Sequence, residues 1–238
     1  MKKTVSLGLI LLMVIPRNGE SSKLNLTEEV HRYIVDYIGK DVVDYSLKDK
    51  KVGDYMPTLT ARTGKLTYGD GCDMPAYIDN MKCRDFYIFY IYNGISTPFT
   101  LPINITLSFR RQRNDTQPAD INDASYIYWD PDNLTMALRY TGNYTEVECN
   151  FSIEVIFNGL FAYEVKGSVI GDKPHKGLHD IGRVSLINSK RLVELNGHDL
   201  VYNVSGVFKH TMNCKPKLKE RMNEETIYQH NISVRLHD

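Results

Sequence analysis

Val147-Glu148-Cys149-Asn150-Phe151-Ser152-Ile153-Glu154-Val155-Ile156-Phe157 is the stretch on which the fold turns. Val147, Cys149, Phe151, Ile153, Val155 and Phe157 share one side of a period-2 pattern, and Glu146, Glu148, Asn150, Ser152 and Glu154 take the other. Successive strand side chains point to opposite faces, so the spacing predicts a strand with one buried and one wet face. Asn150-Phe151-Ser152 is also an N-glycosylation sequon, and a glycan needs the wet side. The same alternation runs through Phe99, Leu101, Ile103, Ile105, Leu107 and Phe109, with the sequon Asn104 again on the polar side. Pro102 marks an edge or a bulge there, because proline gives no ladder hydrogen bond.

Further strands follow on both sides. Phe161, Tyr163, Val165 and Val169 come after Asn158-Gly159, which predicts a tight hairpin. Asn196-Gly197 predicts a second hairpin and Asp130-Pro131-Asp132 a third turn. Phe86-Tyr87-Ile88-Phe89-Tyr90-Ile91-Tyr92 is apolar throughout, which predicts a strand buried on both faces or lining an apolar cavity. Toward the N-terminus the period changes. Val30, Tyr33, Ile34, Tyr37 and Ile38 lie on one face of a helix expected over residues 27–43, with Thr27 as N-cap and Glu28 and Glu29 in its first turn. Gly39 is either its end or a weak point within it. Lys215 to Gln229 reads as a polar loop or short helix, and Ile232, Val234 and Leu236 as a last strand. The expected architecture is α+β, a single domain (residues 22–238) dominated by curved antiparallel sheet packed against the N-terminal amphipathic helix.

The compartment is written at several places. Lys2 and Lys3 precede an apolar run from Val5 to Ile15, broken only by Ser6 and Gly8, and small polar residues follow. That pattern is a secretory signal peptide, expected over residues 1–21, and the run is too short to span a bilayer. Sequons occur at Asn25, Asn104, Asn114, Asn133, Asn143, Asn150, Asn203 and Asn231, eight among 17 asparagines where composition would supply about two. Four cysteines, Cys72, Cys83, Cys149 and Cys214, read as two disulfides in an oxidising compartment. Three pairings are possible; a local Cys72–Cys83 clip with a long-range Cys149–Cys214 staple is the favoured one. Localisation is therefore secreted and extracellular, with no stable membrane insertion. Lysine plus arginine equals aspartate plus glutamate at 29 each, which leaves no basic footprint for nucleic acid.

Motifs that carry chemistry are scarce. There is no HExxH, GxSxG or P-loop, and Gly167-Ser168-Val169-Ile170-Gly171 has its serine one place early for a nucleophile elbow. His175 and His179 are four apart, a metal-ligand spacing on a helix, yet Pro174 and Gly177 favour a solvated loop. No metal, no cofactor and no enzymatic activity are expected.

Thr27-Glu28-Glu29-Val30 opening an amphipathic helix, Asp54-Tyr55-Met56-Pro57 leading to Gly64-Lys65-Leu66-Thr67-Tyr68-Gly69-Asp70-Gly71, and the long strands of Phe151 to Val169 form an order of elements. It resembles that of the mite group-7 allergens and related arthropod secreted lipid-binding proteins. The resemblance implies a curved sheet wrapped on helices around an apolar groove. Where it would imply a long apolar C-terminal helix, Lys215 to Gln229 is short and polar. Sequon density and tyrosine-rich strands also resemble salivary-type proteins of blood-feeding arthropods and viral proteins that sequester host factors. The expected function is non-enzymatic binding of a hydrophobic small molecule or lipid, lined by Tyr33, Tyr37, Phe86, Ile88, Tyr90, Phe99, Phe151 and Phe157. The alternative is a secreted interaction protein, immune-modulating in kind, that binds a host or partner protein by an exposed, sugar-free face.

Overall fold

The computed structural model describes residues 23–72, 81–109, 113–130, 143–167 and 175–216. The expected signal peptide, the Asp130-Pro131-Asp132 turn beyond Asp130, the Gly167–Gly171 motif beyond Gly167 and the C-terminal strand lie outside them. In chain order the elements are β1 (Leu24–Asn25), α1 (Leu26–Tyr33), a π-helical turn (Ile34–Ile38), β2 (Asp41–Ser46), β3 (Thr60–Tyr68), β4 (Met81–Asn93) and β5 (Ile95–Ser96). Then come β6 (Pro102–Phe109), β7 (Arg113–Asp120), β8 (Tyr126–Trp129), β9 (Asn143–Asn158), β10 (Leu160–Lys166) and β11 (His175–Asp180). A 3-10 turn (Ile181–Leu186), β12 (Leu192–Leu195) and β13 (Asp199–Pro216) complete the series.

The 18-residue β13 is the spine of a six-stranded sheet. β9 runs antiparallel along one side of it, while β12 and then β4 share the other. β3 lies outside β9 and β8 outside β4. Register partners such as Phe89, Phe208 and Cys149 share a face, and that face is the buried one. Cys149, Phe151, Ile153, Val155 and Phe157 are all buried, with Asn150 and Glu154 exposed opposite them, as period-2 sterics require. Fully burying one such phenylalanine contributes roughly 1.5–3 kcal/mol.

The α+β expectation is overturned. Strand makes up 62% of the structure and helix 12%, so this is a mostly β chain whose large sheet forms a half-barrel. The helix expected over residues 27–43 is instead α1 followed by the π-helical turn, ending at Ile38, with residues 41–43 already in β2. Asn25, not Thr27, is the N-cap, its Oδ1 accepting from the Thr27 and Glu28 amides. At the other end the chain leaves the π-helical turn at Gly39, packed so closely that an added Cβ would stand 2.9 Å from the Gly167 carbonyl oxygen and 3.0 Å from Val165 Cγ2, and then pairs as β2 with β10. Tyr33 of the helix meets Phe161 and His179 of the small β11-β10-β2 sheet.

Two further expectations change. Asn158-Gly159 is no hairpin: β9 belongs to the six-stranded sheet, whereas β10 pairs with β2 and β11. Gly159 turns the chain from one sheet to the other at φ +114°, where a Cβ would stand 2.5 Å from the Thr58 carbonyl oxygen. Phe86–Tyr92 is not buried on both faces. Tyr87, Phe89 and Ile91 point inward, while Phe86 and Ile88 are half-buried and Tyr90 and Tyr92 exposed on the outer face. Asn196-Gly197 does turn a hairpin between β12 and β13, with φ +56° and +79°.

Candidate functional site

Tyr33 ends α1 and Tyr37 follows four residues later, so their rings stack with centroids 5.1 Å apart. The His175/His179 segment is a strand, not the expected loop: β11 pairs with β10, bringing His179 opposite Phe161 and His175 opposite Val165. On a helix that spacing is one turn; on a strand its even count puts both rings on one face. The Tyr33 hydroxyl lies 2.8 Å from His179 Nε2, and the Tyr163 hydroxyl 2.8 Å from His175 Nδ1. Gly177 lies opposite Tyr163, and an added Cβ there would make an ordinary contact with the Tyr163 hydroxyl at 3.5 Å. Phe161 meets Tyr33 edge-on at 6.3 Å and His179 at 5.7 Å. Nearby, Asp180 caps the 3-10 turn through the Gly182 amide and holds His198 Nδ1 at 2.6 Å.

Burial lowers the His179 pKa, with Asp180 opposing the shift and Arg183 adding to it. Burial raises the Tyr33 phenol, against the pull of Arg183, and burial followed by Tyr55 raises Tyr163. Both members of the Tyr33–His179 pair are thus held in their neutral forms near pH 7. Among the described residues no three His, Cys, Asp or Glu side chains converge as metal ligands do; tyrosines partner these two histidines. A pH dependence follows. The unfolded state takes up the imidazole proton below about pH 6.5, before the folded state does, so stability is full above that pH and falls on acidification until the lowered folded value is passed. Chemical unfolding measured between about pH 7 and 5 is expected to show this slope, and His179→Gln to lessen it. An unchanged slope in the variant would assign the dependence to other groups.

The eight residues picked from sequence do not line one space. Tyr33 and Tyr37 belong to the cluster just described. Phe99, Phe151 and Phe157 are buried in the core with Tyr33; Phe99 packs on Phe157 at 6.2 Å. Phe86, Ile88 and Tyr90 sit on the outer face of β4. Sequence reasoning passed over Tyr163, Tyr55 and the pairing of His179. The even spacing of His175 and His179 was the available signal, hidden by Pro174 and Gly177.

Among the described residues the sequons lie on several elements. Asn104, Asn150 and Asn203 are exposed on β6, β9 and β13, and Asn25 caps α1. Thr67, Ser152, Ser205 and Asn93 form one row across β3, β9, β13 and β4. Thr67 Oγ1 lies 2.8 Å from Ser152 Oγ, and Asn93 Nδ2 donates to Ser205 Oγ at 2.9 Å. The next row runs Asn150, Val207, Tyr90, Tyr126. Between Ser205 and Gly206 the register slips, leaving Tyr92 as the extra residue of a β-bulge. A groove of about 480 Å³ opens there, lined by Tyr92, Asn93, Asn150, Ser152, Ser205 and Thr67 among others.

No family model and no curated protein sequence matches the chain. Among solved structures it is similar to a chain of the Cry23Aa1 and Cry37Aa1 binary protein complex, with TM-score 0.45, 7% identity, 82% of this chain and 90% of that one covered. It is similar to a non-toxic crystal protein from Bacillus thuringiensis, with TM-score 0.46, 10% identity and coverage of 83% and 99%. It is also similar to the Mpp75Aa1.1 beta-pore-forming protein from Brevibacillus laterosporus, with TM-score 0.29, 8% identity and coverage of 77% and 72%. None of the three is a mite allergen, and at these identities and TM-scores they say nothing about what the chain does.

Proposed function

We propose that this chain is a secreted, N-glycosylated, non-enzymatic protein that binds a partner protein through the aromatic face where α1 meets β10 and β11. The observation that carries the reading is that this aromatic cluster lies apart from the exposed described sequons, whereas the exposed tyrosines of the large sheet, Tyr90, Tyr92 and Tyr126, stand beside the sequon Asn150. Tyr37 is 50% exposed and Tyr55 37%, beside the Tyr33–His179 and Tyr163–His175 pairs. The exposed described sequons Asn104, Asn150 and Asn203 lie on other strands, and Asn25 is at the opposite end of α1. Tyrosine presents a wide, stiff ring with a polar tip and is enriched where protein interfaces gain most of their energy. The two disulfides are compatible with an extracellular setting. The eight sequons and the N-terminal apolar run support secretion.

A photo-crosslinking side chain placed at Tyr37 tests this on secreted protein offered to extracellular fluid. A discrete protein adduct is expected there and not from the same probe at Glu154. The Tyr37→Ala/Tyr55→Ala double variant is expected to bind the captured partner roughly 30-fold more weakly. A lipid or hydrophobic small molecule at fixed stoichiometry in native mass spectra, with no such adduct, would replace this reading with the carrier one.

A further inference from the structure

We propose that Asn150 is an occupied glycosylation site whose first sugar is seated in the groove beside Tyr92. The inference rests on the secreted-glycoprotein reading and adds where one glycan lies and what holds it. Asn150 is exposed, heads the sequon Asn150-Phe151-Ser152, and forms part of the groove wall. The linkage forms when Asn150 Nδ2 attacks the anomeric carbon of an oligosaccharide carried on a polyprenyl pyrophosphate. The nitrogen–carbon bond forms, the carbon–oxygen bond to pyrophosphate breaks with its electron pair, and an amide proton passes to a base.

The groove matches the two sides of a sugar ring. A pyranose has an edge of hydroxyls and a face of C–H bonds. Hydroxyl and amide groups recognise the edge, and here Ser205 Oγ and the Asn93 amide stand together at 2.9 Å. The electron-rich face of an aromatic ring recognises the C–H face, and the bulge re-aims Tyr92 into the groove wall. Gly206 makes that bulge: its bare α-carbon allows β13 to approach the Tyr90–Ile91 backbone. The Asn150 row continues through Val207 to Tyr90 and Tyr126, the latter 64% exposed. Sugars extending along that row would cover aromatic surface otherwise left to water.

The test is site-resolved deglycosylation of protein secreted from glycosylating cells, with a peptide N-glycosidase in heavy-oxygen water and peptide mapping of Asn150. We expect Asn150 to be occupied and released roughly tenfold more slowly from native than from denatured protein, the combined effect of one ring contact and one or two hydrogen bonds. Tyr92→Ala is expected to abolish most of that protection and Tyr92→Phe to keep it; Asn93→Ala, at the rim, is the second variant should Tyr92→Ala not be secreted. An unmodified Asn150 overturns the proposal, and if Asn104 or Asn203 is modified the secreted-glycoprotein reading stands. Sugar at none of the sequons overturns both. An occupied Asn150 released equally fast from native and denatured protein, or unaffected by these variants, overturns the seat alone.

Discussion

Gly206→Ala is expected to be the most damaging single-methyl substitution in the large sheet, lowering stability by more than about 3 kcal/mol and with it the secreted yield. The added Cβ would overlap the Tyr90 carbonyl oxygen and stand 2.9 Å from its carbonyl carbon and 3.0 Å from Ile91 Cα. Those are backbone atoms, so no rotamer change relieves the clash. Relief requires β4 to move from β13, which disturbs the register from Ser205–Asn93 onward and the packing of Phe89 on Phe208 at 4.7 Å. Gly69→Ala is the control. Its Cβ would meet the Asn150 oxygen at 3.4 Å, an ordinary contact, and a change within about 0.5 kcal/mol is expected. Urea midpoints of the two secreted variants decide the matter. A Gly206→Ala protein as stable as the parent would show that β4 and β13 do not approach as described.

The second large effect concerns the disulfides. Cys83 and Cys214 face each other in the β4–β13 register with Cα atoms 3.9 Å apart, and Cys72 bonds Cys149 across 77 residues. This overturns the favoured pairing of Cys72 with Cys83. Cys83 enters β4 as an extended strand, and its neighbour across the ladder is 131 residues away in sequence. Closing so long a loop removes much freedom from the unfolded chain. Cys83→Ala with Cys214→Ala is therefore expected to cost about 4 kcal/mol in denaturant unfolding. Peptide mapping without reduction checks the pairing first. Recovery of a Cys72–Cys83 peptide would refute it, and the double variant would then break both bridges rather than one.

Much of the local order was legible in the chain itself. The alternation from Val147 to Phe157 placed Asn150 and Glu154 toward water before any partner strand was known, because the two faces of a strand follow from backbone sterics alone. The Asn196-Gly197 turn was readable for the same reason: its backbone needs positive φ, which asparagine and glycine tolerate. Phe86–Tyr92 misled. An unbroken apolar run states that both faces avoid full solvation without stating what covers each, and here the outer face is tyrosine-rich surface beside β8 and β13.

The sequence by itself determined that one strand lies within Phe99–Phe109 and another spans Val147–Phe157, which side of β9 is wet, where the helix begins to within two residues, and where the sequons lie. These depend on period, turn chemistry and short motifs, all of which act over a few residues. Only the tertiary structure decided which strands pair, that Gly159 carries the chain from one sheet to another, which cysteines bond, and that Tyr33 meets His179 across 146 positions. Each of those is a contact between distant segments, selected by how the whole buried face packs and by which register leaves no backbone group unpaired. The candidate site belongs to this second class. Its tyrosines and histidines were visible one by one, and their meeting was not.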